Sequence, residues 1–421
     1  MKLVKSLLLG SVAGLAAVAG AQAADLPAKK AAAVEYVRVC STYGAGFFYI
    51  PGTETCLRVG GRARAEIRYV EPDTRARDSI GFRARGRIQL DARTATAYGL
   101  LRTFVRFEMT RDTGVYGASA TTANVDQAFV QFGGLTAGRA LSFFDNGDLP
   151  TGHMGTLRFS DAPNVNLFAY TFSFGNGFSA SLSVEEGRFA GNTFDLTPGA
   201  PADFFYGGQR TPDLVAQLKY SGTWGSAMLA GAAHQIRSVA IPVAGFAEPV
   251  VPDTEYGFAV TAQVGINLPM LAAGDALWIA ATYADGAMGY LGFGGANGRL
   301  GSVNRPVVDA YYDVDGEIDT AQGWSIAGGL RHYWTPEIRQ NVFGSYARVE
   351  YGAAADALFG TPLAPVSADF NEWRVGTNVF WQPVAGLDLG VEVLYANIDP
   401  RGPDTRSGDA WEGRIRVQRD F

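Results

Sequence analysis

The sequence predicts an all-β chain, a transmembrane antiparallel β-barrel of about 16 strands with short periplasmic turns and long extracellular loops. Three observations predict it. Between Phe82 and Arg93, polar Arg83, Arg85, Arg87, Gln89, Asp91 and Arg93 alternate with apolar or small Phe82, Ala84, Gly86, Ile88, Leu90 and Ala92. Side chains of a strand change face at every residue, so this is a strand with one wet and one greasy face. No uninterrupted apolar run after the N-terminal leader is long enough for a spanning helix; the nearest, from Tyr256 to Tyr283, is broken by Gln263, Asn267, Pro269 and Gly274-Asp275. A chain without such a helix crosses lipid only as a closed barrel, which pairs every backbone polar group. Finally, the segments between alternating runs are by turns short and long, as in membrane barrels.

The first residues read as an export signal. Lys2 and Lys5 precede the apolar run Leu7 to Val18, and Ala21-Gln22-Ala23 forms an Ala-x-Ala site, so cleavage is expected before Ala24. Residues 1–23 are then a signal peptide, 24–60 a periplasmic lead-in, and 61–421 the barrel. Cys40 and Cys56 both lie in the exported part. An even count in an oxidising compartment predicts one disulfide, closing a loop of about 15 residues and contributing about 3 kcal/mol in the chain-entropy model. The three histidines, His153, His234 and His332, are scattered far from these cysteines, and neither a metal site nor a cofactor is expected.

Strands follow in sequence. Gly61 to Val70 places Arg62, Arg64, Glu66 and Arg68 on one face; Ile80 to Arg93 is next. Gly99 to Arg111 sets Arg102, Arg106 and Glu108 against Leu101, Val105, Phe107 and Met109. Ala123 to Phe132 sets Gln127 and Gln131 against Ala128, Val130 and Phe132, and a further strand ends near Ala140. Asn176-Gly177, between the alternating runs ending at Phe174 and beginning at Phe178, is a hairpin signal. Later runs begin at Leu214, Tyr256, Leu277, Trp324, Trp373, Leu387 and Trp411. Around Met228, Trp278 and Phe343 the alternation is ambiguous. Aromatics such as Trp373, Trp381, Tyr283, Tyr395 and Trp411 sit near the ends of greasy faces, where amphipathic rings meet headgroups. Short turns fall near 175–177, 222–225, 335–337 and 382–386, long loops near 187–212, 238–254, 285–323, 352–370 and 397–409.

Charge is uneven along this frame. The whole chain carries a formal charge of −6, yet Arg62 to Arg111 holds twelve arginines, no lysine and six acids. An acidic chain poor in lysine is not built for nucleic acid. Arginine keeps its charge in a crowded cationic wall, and Arg62, Arg64, Arg68, Arg83, Arg85, Arg87, Arg102 and Arg106 are the candidates for such a wall lining a lumen. The segment near 141–165 is too long for a turn and carries Asp145, Asp148 and Asp161. Folded inward, its acids would face the arginines and form a constriction with a transverse field, passing polar solutes and slowing apolar ones. No Gly-x-Ser-x-Gly element or His-x-x-x-His pair is present, which argues against an enzyme.

The stretch Cys40-Ser-Thr-Tyr-Gly-Ala-Gly-Phe-Phe-Tyr-Ile-Pro-Gly-Thr-Glu-Thr-Cys56-Leu-Arg-Val-Gly-Gly, the Ala24-Asp25 after the signal, and the terminal Arg-Asp-Phe421 together resemble the general-diffusion porins of alphaproteobacterial outer membranes. The resemblance implies a sixteen-stranded barrel, a homotrimer in outer-membrane lipid, an inward third loop, and a role for Phe421 in the signal read by the barrel-assembly machinery. The expected function is a water-filled channel in the bacterial outer membrane for small hydrophilic solutes and ions. A substrate-specific channel for anions such as phosphate, exploiting the arginine wall, is the alternative.

Overall fold

The computed structural model describes residues 38–117, 119–190, 207–241, 247–293, 300–301, 303, 307–312, 317–352, 369–401 and 407–421. The expected signal peptide, and the expected lead-in as far as residue 37, lie outside them. Sixteen long strands make one closed antiparallel sheet; the sheet's remaining member is the two-residue strand Phe48–Tyr49. The first four are β1 (Cys56–Val70), β2 (Ile80–Thr96), β3 (Gly99–Asp112) and β4 (Ala120–Phe132). β5 (Leu135–Leu141), β6 (Asn164–Gly175), β7 (Phe178–Glu185) and β8 (Asp213–Gly222) follow. The next four are β9 (Gly225–Ile236), β10 (Glu255–Asn267), β11 (Ala276–Asp285) and β12 (Gln322–Thr335). β13 (Ile338–Glu350), β14 (Phe370–Val384), β15 (Leu387–Pro400) and β16 (Gly408–Asp420) complete the wall. Each strand pairs with its neighbours in sequence, and β16 closes on β1 from Glu412↔Val70 to Asp420↔Arg62. The ring of sixteen strands has no free edge, as lipid requires.

β1 starts at Cys56, ahead of the expected boundary at Gly61, because the disulfide lobe runs straight into the wall. The Cys40–Cys56 bond is formed, with Cα atoms 6.0 Å apart. Phe47, Tyr43 and Tyr49 pack around it, and the Arg93 guanidinium lies 4.9 Å from the Phe47 ring centroid.

The alternation sorts the faces as expected. Phe168, Phe172, Phe174, Leu218, Leu229, Val260 and Val391 are exposed on the outside, a continuous apolar surface that a water-soluble chain would have to cover. Rings gather at both rims: Trp373, Tyr395 and Trp411 sit in a row with centroids 5.2 and 4.8 Å apart. At the opposite, short-turn end, Tyr220 stacks on Trp224 at 5.4 Å. Asn176 and Gly177 turn the β6–β7 hairpin with φ of 51° and 86°. Both are left-handed, the geometry that matches the twist of the flanking strands and that Asn-Gly adopts readily.

The buried apolar core sits inside the barrel. Inward-facing Met228, Trp278, Ala280, Phe343, Ala347 and Leu394 lie under the loop residues Phe144, Leu157, Phe159, Met288 and Leu291. This explains the ambiguous alternation around Met228, Trp278 and Phe343. Those strands are greasy on both faces, one against lipid and one against loops, so no polar period marks the inside.

Candidate functional site

Residues 142–163 leave β5 and fold into the lumen, as a loop in that position was expected to do. They run along the inner wall from β8 to β16. Gln217 of β8 donates to the Phe143 carbonyl at 2.6 Å, and Gln263 of β10 accepts from Asn146 N at 2.9 Å. Glu392 of β15 accepts from Met154 N and Gly155 N at 2.6 and 2.5 Å. Asn378 and Arg374 of β14 donate to the carbonyls of Gly152 and Thr156, and Arg414 of β16 to that of Met154. Buried Arg158 forms a two-point pair with Glu372, which also holds Arg374 at 2.6 Å. The loop meets the wall closely at two glycines: a Cβ on Gly155 would fall 2.8 Å from Leu394 Cδ2, and one on Gly152 2.2 Å from Asn341 Oδ1, so either side chain would have to shift. Among the described residues, none of the loop's hydrogen bonds or ion pairs reaches β2, β3 or β4.

The eight arginines of the expected basic wall all point inward from β1, β2 and β3. Their counter-charges differ from the expectation. Arg83 pairs with Asp112 at 2.7 Å, Arg87 with Glu108 at 2.5 Å and Arg102 with Asp91 at 2.9 Å. Arg62 pairs with Asp420 at 2.5 Å and Arg68 with Glu412 at 2.7 Å across the seam with β16. Arg106 pairs with Asp126. The register shifts between Arg106 and Phe107, so that Asp126 is an extra residue in β4. A bulge re-aims side chains, and strict alternation would have put Asp126 on the Ala128 face. The wall is thus a cross-strand ladder that supplies its own acids.

Two arginines stand apart. Arg64 donates to Gln418 at 2.8 Å and, among the described residues, has no ion-paired carboxylate. Arg85 donates to Thr110 at 3.1 Å and lies 3.5 Å from Glu108. The pair are directly opposed in register. Like charges so placed repel, and here they concentrate positive charge at one level of the lumen. Phe104 and Phe129 also face inward, stacked at 5.3 Å, with Arg102 near both rings.

The three loop acids do not face this wall together. Asp145 is buried, accepting from Ser160 Oγ at 2.7 Å with Arg188 at 3.6 Å; burial pushes its pKa up to about 7. Asp148 turns back to Lys219 at 2.8 Å and Ser221 at 2.8 Å on β8, and the Lys219 ammonium holds it below the usual carboxylate range. Asp161 is exposed, 3.9 Å from His153 Nε2. The loop's role in shaping the lumen therefore rests on its backbone and apolar side chains more than on its acids. Sequence reasoning missed Glu372, Glu392, Arg158, Arg374 and Arg414, because nothing local marks a wall residue as a partner of a loop more than two hundred residues away.

A family model described as "Porin subfamily" matches residues 25–412. The chain is 30% identical over 450 residues to the porin Omp2b of Brucella suis, covering 99% of this chain and 100% of that protein. In structure it is similar to the outer membrane channel DcaP of Acinetobacter baumannii, with a TM-score of 0.66 at 17% identity, covering 89% of this chain and 99% of the other. It is also similar to the trimer form of OmpT, an outer membrane protein of Vibrio cholerae, with a TM-score of 0.51 at 12% identity, covering 88% of this chain and 100% of the other.

Proposed function

The chain belongs to the porin subfamily, and on that premise we propose where its channel is narrowest and what it selects. The protein is an outer-membrane channel rather than an enzyme, a water-filled barrel for passive diffusion of small hydrophilic solutes and ions. In our reading the narrowest level lies between the 142–163 loop and the arginines of β1–β3. The observation that supports it most is the loop's seating: it is fastened to β8–β16 and leaves the β2–β4 side of the lumen free. Seven of the eight arginines are ion-paired with carboxylates and set the polarity of the wall, Arg85 only by sharing Glu108 with Arg87; Arg64 and Arg85, facing each other, carry its excess charge and tilt passage towards anions.

The test is the reversal potential of single channels under a salt gradient. An anion preference in the wild type that shifts towards cations in Arg64→Gln/Arg85→Gln is expected. A reversal potential unmoved by the double substitution would overturn the assignment. The same arginine pair favours a second reading, a channel specific for anionic solutes such as phosphate. Liposome swelling separates the two: rates falling smoothly with the mass of neutral sugars fit general diffusion, and saturable phosphate entry fits the specific channel.

The assembly in this reading is a homotrimer, as the form of OmpT named above is. Small outward residues on β1 and β2, Ala63, Ala65, Ala84 and Gly86, support close approach of a second copy there, in contrast to the large aromatic outer face of β6. Outer-membrane lipid covers the remaining face. Phe421 presents a terminal ring beside Gly61, with paired backbone bonds of 2.9 and 3.1 Å to that residue, a placement suited to reading by the barrel-assembly machinery. Crosslinking in native membranes checks the trimer, and Phe421→Ala should lower the amount of assembled barrel.

A further inference from the structure

Where the inward loop leaves the wall, four buried carboxylates converge from four different segments: Asp145 of the loop, Glu185 at the end of β7, Asp213 at the start of β8, and Asp309 before β12. Two groups that can carry positive charge share the space, Arg188 and His234. Tyr290, on the short 3-10 turn Met288–Leu291, faces the cluster, with Tyr351 beside Asp309 and Asp161 at the loop's far end.

Each acid ties chain segments together. Asp213 accepts from Tyr290 Oη at 2.7 Å and from Arg188 N at 3.2 Å, and it holds His234 Nδ1 at 2.8 Å. Asp309 accepts from Ala190 N at 2.9 Å and Met288 N at 2.6 Å. Glu185 accepts from Ser142 Oγ at 2.7 Å and Phe143 N at 2.9 Å. Arg188 donates to the Gly289 carbonyl at 3.2 Å and lies over the Tyr290 ring at 4.4 Å, while Phe144 packs on that ring at 4.5 Å. Asp145 Oδ1, Arg188 Nη1 and His234 Nε2 are buried without a hydrogen-bond partner among the described residues.

Among the described residues of the cluster, with every carboxylate ionised, the acids exceed the cations even when His234 is charged. Uncompensated negative charge out of water is expensive, so the packed arrangement has to hold protons. We propose that this cluster is a proton-dependent fastening, which joins the root of the inward loop to the segments at 186–190 and 286–291 and loosens as the solution becomes alkaline.

The direction follows from burial. Asp145 is pushed up to about 7 and Asp309 to about 6, both chiefly by desolvation. Each binds a proton in the packed state more tightly than in a solvated one. The stabilisation from that proton is largest in acid, declines as the pH climbs towards the packed-state value, and is gone about one unit above it. For Asp145 alone, the fastening equilibrium should weaken about tenfold between pH 6 and pH 8.5.

The inference rests on the constriction reading only for its effect on current, so two readouts are combined. Hydrogen–deuterium exchange of the full chain in detergent, divided by intrinsic rates, reports the fastening itself. Segments 143–149 and 287–291 should lose about tenfold in protection from pH 6 to pH 8.5 in the wild type. Asp145→Asn, neutral at both pH values, should flatten that response, and Asp309→Asn should reduce it if the first variant fails to assemble. His153→Gln, which removes the loop's own histidine, should keep it. Single-channel recordings should show more frequent current fluctuations at pH 8.5 in the wild type. Exchange that responds without a change in current supports the fastening and overturns the constriction reading. Protection that is equal at the two pH values, an undiminished response in both asparagine variants, or a response lost in His153→Gln overturns the fastening.

Discussion

The two halves of the barrel interior are built on different principles. From β1 to β4 the inner face is a ladder of guanidinium and carboxylate groups paired across neighbouring strands, Arg83–Asp112, Arg87–Glu108 and Arg102–Asp91 among them. From β8 to β15 small and apolar residues, Ala230, Ala259, Trp278, Ala280, Phe343 and Leu394 among them, form a buried cluster with the inward loop, interspersed with buried polar residues that grip it. The ladder is polar enough to stay wet. The apolar half would be unstable against water and is covered by chain instead. In the reading proposed above the open lumen lies to one side, against the arginines, and what favours that side is the distribution of grease on the far wall.

The largest test of the contrast removes the charge that fastens the covered half. Glu372→Ala removes the buried carboxylate that Arg158 and Arg374 share, a loss of about 3–5 kcal/mol. The variant should melt earlier in detergent and show larger, noisier single-channel currents; an unchanged conductance would mean that the loop stays seated by its apolar packing and its remaining hydrogen bonds to Glu392, Asn378 and Arg414. Removing the disulfide with Cys40→Ser/Cys56→Ser should lower stability by about 3 kcal/mol. Because the lobe lies beside β1 and not under the loop, protease sensitivity should rise before residue 56 while conductance holds. A smaller effect is expected for Gly155→Val, whose side chain collides with Leu394; overpacking of this kind destabilises by about 1–3 kcal/mol, and the conductance should rise. Smallest is the neutral removal of one rung, Arg83→Gln/Asp112→Asn. Each side chain is about one-fifth exposed, and deleting both partners should change stability by less than about 1 kcal/mol. The reversal potential should stay in place, in contrast to the shift expected for Arg64→Gln/Arg85→Gln.

Much of this was legible in the residues. Period-two alternation located most of the strands and turned Arg62 to Arg106 inward; Asn176-Gly177 marked a hairpin; two cysteines in an exported chain marked a bond. These are local signals, because a strand encodes its two faces in adjacent residues. The partners of Asp145, Asp148 and Asp161 were not legible. An acid near a basic wall in sequence is drawn to whichever cation its loop is carried past, and here the loop is carried to Lys219 and Arg188. The bulge at Asp126 was equally hidden, since one extra residue reverses the face of everything on one side of it.

The sequence by itself determined that the chain is a barrel with a cationic inner stripe on its first strands. Only the tertiary structure decided which wall the loop lies on, that Arg64 is left without an ion-paired acid among the described residues, and that four buried carboxylates meet near Arg188 and His234. The physical reason is that periodicity specifies which way a side chain points but not what stands across the lumen. Arg158 meets Glu372 and Met154 meets Glu392 through separations of 214 and 238 residues, and only closure of the sheet brings such pairs together.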